Sequence, residues 1–298
     1  MSLLVVGSMA LDDLELPSGS FRDVLGGSAT HLAFVASALT QCRVVAVVGD
    51  DFPTAVLEAL AARGVDVRGV RREPGRTFRW AGRYLPGFAG RETIGTWLGV
   101  FERFDPAIPE ASRDSETVFL GNIAPSLQAR VLDQVRRPRF TAIDTMNFWI
   151  RGARADLDAL VGRVDAVFVN DEELLEWTGA PGILDGIDAL HSMGPRVIVV
   201  KRGEHGAYMS DRGDLAFSPA VPVRRVIDPT GAGDAFAGGF MGHVDRAGTC
   251  DRATLREALR TAASAGSFAV EGVGADALAA VTPERIEERR AILAALVG

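Results

Sequence analysis

Short runs of β-branched and other apolar residues recur along this chain with helical patterns between them, and that alternation leaves few folds open to it. Residues 3–7, 44–48, 65–70, 117–121, 140–144 and 166–170 read as buried strands, and 196–201 with 205–210 as a strand pair about a Gly-Glu turn. Strands apolar on both faces need a helical layer on each side. Residues 28–39 and 53–63 place small and apolar side chains at helical spacing and supply part of that cover. The pattern predicts a mostly parallel sheet in an α/β architecture, with mainly helix after Ala232. At 298 residues and 47% hydrophobic, the chain can fill one large core and still carry an appendage.

Two segments break the alternation. Residues 12–20 are polar and turn-rich, and residues 77–98 carry Phe78, Trp80, Tyr84, Phe88 and Trp97 among arginines and glycines with no helical period. Both read as strands outside the main sheet, and an antiparallel excursion packed on its own aromatics would explain them.

A net charge of -7 argues against a nucleic-acid partner, since phosphate backbones select basic surfaces. A small anionic cosubstrate stays open, because local fields decide that. Cys42 and Cys250 show no paired spacing and read as thiols of a reducing compartment. His31, His191, His205 and His243 are scattered, which argues against a histidine metal site. The run 3–6 lacks a basic leader and is soon followed by Asp12 and Asp13, so it reads as a first strand. No apolar stretch approaches membrane-spanning length, and the expected location is the cytoplasm. Lys201 is the one lysine of the chain and directly follows an apolar strand run.

The most specific string is Asp228-Pro229-Thr230-Gly231-Ala232-Gly233-Asp234-Ala235-Phe236. It follows a β-branched run, 221–227, that reads as a strand, and it precedes small residues that read as a closely packed helix. A glycine turn feeding a helix start gathers unpaired N–H groups at the positive end of the helix dipole, which makes an anion site. Asp234 would repel a resting phosphate there. Accepting the proton of a hydroxyl that attacks the phosphate gives it a role. Gly231, Gly233 and Ala237 also fit a dinucleotide fingerprint, but that motif belongs to an early βαβ unit and this one lies late, before helices alone. An ordinary acidic first turn of a helix is the other plain reading.

Further constellations are weaker in isolation. Gly26 and Gly27 open a helix at Ser28 and would let a ligand approach the backbone. Asp12 lies just past the first strand, where ligands of open α/β sheets gather, and a carboxylate there can hold two vicinal hydroxyls. Asp13 beside it is the alternative. Asn170 followed by Glu173 fits a capping box at a strand-to-helix junction. Lys201-Arg202-Gly203-Glu204-His205-Gly206 is a turn, and no phosphate-binding Gly-x-x-x-x-Gly-Lys loop occurs anywhere.

The string 228–236 closely resembles the carboxy-terminal signature of the ribokinase-like (PfkB) family of carbohydrate and nucleoside kinases, and Gly26-Gly27 resembles its amino-terminal signature. The resemblance covers essentially the whole chain. It implies a ribokinase-like three-layer α/β/α sandwich, a single domain over 1–298, with a small β lid formed by about 11–21 and 76–98. It also implies transfer of the γ-phosphate of ATP to a hydroxyl of a nucleoside or sugar, with Mg2+ and, in some members, K+. By that resemblance Asp234 is the base and Gly231, Ala232 and Gly233 form the anion hole. Asp12, Gly26, Gly27 and His31 face the acceptor. His31 stands where ribokinases commonly have asparagine, which speaks against a simple ribose acceptor. Asn170 and Glu173 match an Asn-x-x-Glu motif that organises water around Mg2+. Lys201, Gly203 and Gly206 match the turn bordering the nucleotide. Asp228 falls where some members hold a monovalent cation. Residues 91–99 resemble an Arg-Thr-Met-x-Thr-x-Leu-Gly pattern of adenosine-kinase-like members, with Glu92 inserted. Arg91, Phe78 and Trp80 thereby become acceptor contacts, the two rings as faces for a base or sugar. The expectation leans to an adenosine-like nucleoside; a sugar kinase of ribokinase or fructokinase type, a non-catalytic sugar or nucleotide sensor, and a nicotinamide enzyme are the alternatives. Pairing of two chains through the lid completes the expectation.

Overall fold

The apolar runs become strands because alternate side chains of each find a helical layer on either side of the sheet. The computed structural model describes residues 1–297. The chain opens with β1 (Leu3–Val6), β2 (Ala10–Leu16), β3 (Gly19–Gly26) and α1 (Ser28–Ala36). It continues through β4 (Cys42–Val48), α2 (Thr54–Ala62), β5 (Asp66–Arg72), β6 (Phe78–Tyr84) and β7 (Arg91–Trp97). Next come β8 (Thr117–Leu120), α3 (Pro125–Leu132), β9 (Phe140–Asp144), α4 (Asn147–Gly152) and α5 (Arg154–Val161). After β10 (Ala166–Asn170) follow α6 (Asp171–Thr178), α7 (Ile183–Ser192), β11 (Val197–Lys201), β12 (Ala207–Asp211) and β13 (Asp214–Ser218). Three helices close the chain, α8 (Ala232–Ala247), α9 (Arg252–Ala269) and α10 (Pro283–Val297).

Nine strands form one sheet in the order β13-β12-β11-β10-β9-β8-β1-β4-β5. From β5 to β11 neighbours run parallel; β12 and β13 turn back antiparallel. The pleat splits each strand between two cores. Leu3 and Val5 join Phe168, Phe240 and Phe268 on one face, and Leu4 and Val6 join Leu160, Trp177 and Leu190 on the other. No helix among the described residues is long and apolar enough to cross a membrane.

A second sheet has the order β3-β2-β6-β7. Parallel pairing of β2 with β6 sets Asp12 beside Trp80 and Asp13 beside Ala81, so the two aspartates point to opposite faces. Asp13 bonds Arg79 at 2.8 Å, and Arg83 bonds Glu15 at 2.6 Å on that same outer face. This removes Asp13 as a candidate ligand and leaves Asp12.

Several expectations need correction. Residues 221–227 are not a strand. Pro219, Pro222 and Pro229 withhold the donors that a ladder needs, and the segment crosses over as irregular chain instead. Each off-sheet segment folds into two strands rather than one extended piece, and the first continues to Gly26, beyond residue 21. β13 went unforeseen, and α1 ends at Ala36, not at residue 39.

α8 lies unusually near its neighbours. A Cβ on Gly238 would sit 2.7 Å from the Leu32 carbonyl oxygen of α1, and one on Gly239 would sit 2.6 Å from the Ala265 Cβ of α9. Glycines are poor helix formers, so their presence here is explained by that approach. Gly238→Ala should therefore lose about 1–3 kcal/mol in denaturant unfolding despite its better helix propensity. A stabilised variant would show that α1 and α8 are not so close.

Candidate active site

The start of α8 is fixed before any ligand arrives. Gly231 takes φ +74° and caps the helix without a side chain. Asp228, fully buried, accepts the Thr230 N–H at 2.9 Å and the Gly274 N–H at 2.8 Å. Those two bonds tie the turn to the loop after α9. The Ala232 N–H is turned back to the Pro229 carbonyl at 3.2 Å, so of the three expected anion-hole amides it is already engaged. The Gly231 and Gly233 amides have no protein acceptor among the described residues. Unpaired donors at a helix N-terminus suit an anion.

Around that turn stand three carboxylates and two cations. Asp234, in the first turn of α8, is half-buried. Burial, helped by the Asp144 carboxylate, pushes its pKa up to about 7, while Lys201 and Arg91 hold it down. Lys201 bonds Asp144 Oδ2 at 2.6 Å, and its Nζ lies 3.3 Å from the place of a Gly233 Cβ. Burial alone would lower the Lys201 ammonium, yet Asp144 and Glu173 together raise it, so it is charged. Asn170 and Glu173 form the capping box, with the Glu173 N–H donating to Asn170 Oδ1 at 2.7 Å and the Asn170 N–H to Glu173 Oε2 at 2.8 Å. The cap therefore holds the buried Glu173 carboxylate beside Lys201, and burial raises its pKa. Gly203 (φ +53°) and Gly206 (φ +84°) shape the turn after Lys201, and Gly206 lies against the Ser218 carbonyl.

Among the described residues no group of three His, Cys, Asp or Glu side chains is arranged to hold a metal ion directly. The donor set fits a hard cation that keeps most of its water, with Glu173 Oε1 free to orient that water.

The small sheet walls the other side. Asp12 is 4% exposed, and its Oδ1 has no partner. Burial pushes its pKa up to about 7 against the pull of the Trp80 amide, with Asp228 raising it further. An orphaned carboxylate oxygen in a buried position asks for a donor. The two glycines next to it serve the protein's own chain: a Cβ on Gly26 would meet Asp12 Oδ2 at 2.0 Å, and Gly27, at φ +95°, lies against Ser8 and Met9. Both are glycine for a reason internal to the fold, whatever they meet in a ligand. His31 is buried beside the same turn. It is 1% exposed, its Nδ1–H donates to the Gly27 carbonyl at 2.9 Å, and burial lowers its pKa. The neutral ring sits under Gly231, where a Cβ would meet it at 2.1 Å, and its Nε2 has no partner. His31 thus packs beneath the turn that starts α8.

Phe78 packs on Phe101 with centroids 5.4 Å apart. Trp80 covers Gly82, donates Nε1–H to Thr93 Oγ1 at 3.2 Å, and carries the Arg91 guanidinium 5.2 Å from its centroid. Tyr84, absent from the sequence-based site, bonds Thr230 Oγ1 at 2.9 Å and joins the small sheet to the turn before α8. Asp144 was missed as well. An acidic residue closing a buried parallel strand was its available signal.

Residues 2–281 match the family described as pfkB family carbohydrate kinase. The chain is 33% identical over 254 residues to the cytidine kinase of Thermococcus kodakarensis, covering 83% of this chain and 89% of that protein. Its fold superposes with TM-score 0.77 on aminoimidazole riboside kinase from Salmonella enterica, solved with aminoimidazole riboside and an ATP analog, at 22% identity over 97% of this chain and 100% of that one. A putative ribokinase II from E. coli, solved with ATP and Mg2+, gives TM-score 0.78 at 20% identity, over 97% of this chain and 98% of the other. The two structures establish a ribokinase-like α/β fold.

The raised Asp12 value has a stability consequence of known sign. The folded chain binds this proton more tightly than the unfolded chain, so stability is full below pH about 4 and falls as pH rises through about 7. At pH 8 Asp12→Asn should melt higher than the parent, by up to about 4 kcal/mol of stability, and the gap should close toward pH 4. A gap independent of pH would remove the buried charge as its cause.

Proposed function

The chain belongs to the pfkB family of carbohydrate kinases and is an ATP-dependent phosphotransferase for a hydroxyl of a nucleoside or sugar, and from that premise we propose that its acceptor is a ribonucleoside. The observation that carries this is the pairing of Asp12 with Trp80 on the inner face of the small sheet, a hydroxyl acceptor next to an aromatic face. The likeness to a cytidine kinase supports the same reading, as does the adenosine-kinase-like pattern around Arg91.

Two vicinal hydroxyls of the ribose donate to Asp12, which favours its ionised form. The base lies on Trp80. The free hydroxyl then points at Asp234, whose value near 7 lets the carboxylate take a proton at neutral pH. Gly231 and Gly233 amides hold the transferring phosphate at the end of α8, with Ala232 the lesser donor, and Lys201 and Arg91 offset its charge. Gly203 and Gly206 shape the border of the ATP site after Lys201. Mg2+, oriented through water by Glu173 and Asn170, supplies neutralisation of the phosphate oxygens. A K+ ion beside Asp228 is supported by a fully buried carboxylate that no basic side chain pairs among the described residues. The small sheet acts as a lid within a single domain, excluding water from the transfer. Its outer apolar residues Ile94 and Trp97, 50% and 54% exposed, support pairing of two chains through the lid. Free thiols at Cys42 and Cys250 and the use of ATP support a cytoplasmic location.

Asp234→Asn keeps shape and loses the base, so kcat should fall about 10²–10⁴-fold with much smaller changes in ligand affinity. Near-normal turnover would remove Asp234 from the mechanism. The acceptor is tested by ATP consumption over cytidine, adenosine, uridine, guanosine, ribose, fructose and 2-dehydro-3-deoxygluconate. Nucleosides should be phosphorylated, and Trp80→Ala should raise their KM about 5- to 150-fold while affecting KM for ATP far less. Efficient turnover of a free sugar with every nucleoside inert would overturn the nucleoside reading and leave the kinase intact.

A further inference from the structure

We infer that Asp144 is a positioning residue for phosphoryl transfer, holding the ammonium of Lys201 against the Gly231–Gly233 turn and away from the base. The inference rests on the proposed anion site at that turn. Of 32 lysines and arginines, Lys201 alone is lysine. A preference for arginine accounts for the exposed positions. Burial alone does not call for the exception, since Arg289 is 13% exposed and Lys201 16%.

The space explains why. Lys201 Nζ stands 2.6 Å from Asp144 Oδ2 and 3.3 Å from the place of a Gly233 Cβ. A compact ammonium fits between a carboxylate and a helix start; a planar guanidinium fork would displace one of them. The register makes the reach. Asp144 lies beside Phe168, and Phe168 beside Val199. Lys201, two residues past Val199, therefore points to the same face as Asp144, the face packed by Phe236 and Phe240 of α8. Strands β9 and β11 flank β10, so the lysine stem spans about 9–10 Å across it.

Asp144 is held on every side. Its Oδ1 accepts the Thr145 N–H at 2.9 Å, and its carbonyl accepts Gln128 Nε2 at 3.0 Å. Gln128 also bonds the Leu120 and Gly121 carbonyls, which locks the ends of β8 and β9 together. The choice of partner matters because Glu173 and Asp234 are competing carboxylates near the same ammonium. An ion pair between Lys201 and Asp234 would occupy the base. Asp144 draws the cation to the side of the turn, where it meets phosphate and leaves Asp234 free for the hydroxyl.

The single lysine supplies the test. Apart from the N-terminus, Lys201 is the only primary amine, so reductive methylation of the intact protein followed by peptide mass spectrometry reads its accessibility directly. Labelling should be slow, slower still with ATP present, and faster by about tenfold or more in Asp144→Asn without nucleotide. In the same variant, at unchanged far-UV CD, KM for ATP should rise and kcat should fall by about tenfold or more each, with partial recovery in Asp144→Glu. Lys201→Arg should lose activity to a similar degree. Unchanged labelling and unchanged kinetics in Asp144→Asn would overturn the inference, as would a loss of melting temperature alone. Faster labelling in that variant together with no ATP protection would leave Asp144 holding Lys201 but would place the phosphates elsewhere, which overturns the anion-site reading instead.

Discussion

Everything chemical in this molecule depends on where α8 begins and how closely it is held. A helix end attracts an anion only within about its first turn, so the start of α8 must be fixed to within a fraction of a turn. Three contacts do this from different directions. Asp228 clamps the turn to the loop after α9, His31 fills the space beneath Gly231, and the glycines of α8 seat the helix on α1 and α9. None of the three needs a ligand. The proposed phosphate site is thus preorganised, and the cost of assembling it is met by folding.

That preorganisation gathers like charges. Asp12, Glu173 and Asp234 all have raised pKa values with burial as the first cause, and each is less stable ionised here than in water. A fold selected for stability alone would remove them. They persist where hydroxyls, ordered water and phosphate would meet them, which is the pattern of a site whose charges are balanced by its substrates. Lys201 and Arg91 offset part of the repulsion, one from the main sheet and one from the small sheet, so the balance also depends on how the two sheets stand relative to each other.

The sequence was informative where a local rule forced the answer. The apolar runs of the parallel sheet, the glycine turn with Asp234 and the capping box of Asn170 and Glu173 each follow from spacing alone, and each took the shape it implied. It was uninformative where distance in sequence separates the partners. Asp144 and Lys201 are 57 residues apart, and Tyr84 and Thr230 are 146 apart; neither segment carries a mark of the other. It misled at residues 221–227, where β-branched residues suggested a strand and the prolines decided otherwise. It was silent in a second way at Gly26 and Gly27. Glycines that admit a ligand and glycines that admit the protein's own Asp12 and Ser8 are identical in sequence, and only the close contacts separate them.

The bond between Tyr84 and Thr230 gives the small sheet a direct grip on the phosphate turn. Thr230 is the residue whose amide Asp228 holds, and its hydroxyl is the atom Tyr84 reaches. Tyr84 pairs in the ladder with Arg91, the cation that bears on Asp234 and Glu173. Movement of this strand pair therefore shifts a hydrogen bond at the helix start and a positive charge at the base together. Asp12 rides on the neighbouring strand, and Trp80 lies four residues before Tyr84 on β6. Asp12, Trp80, Tyr84 and Arg91 sit on three adjacent strands of one sheet, so under the proposed function a shift of any of them at the acceptor would be passed to the others. The backbone bonds of the small sheet would in that way couple occupancy of the proposed acceptor site to completion of the proposed phosphate site, which is what a kinase requires if water is not to take the acceptor's place.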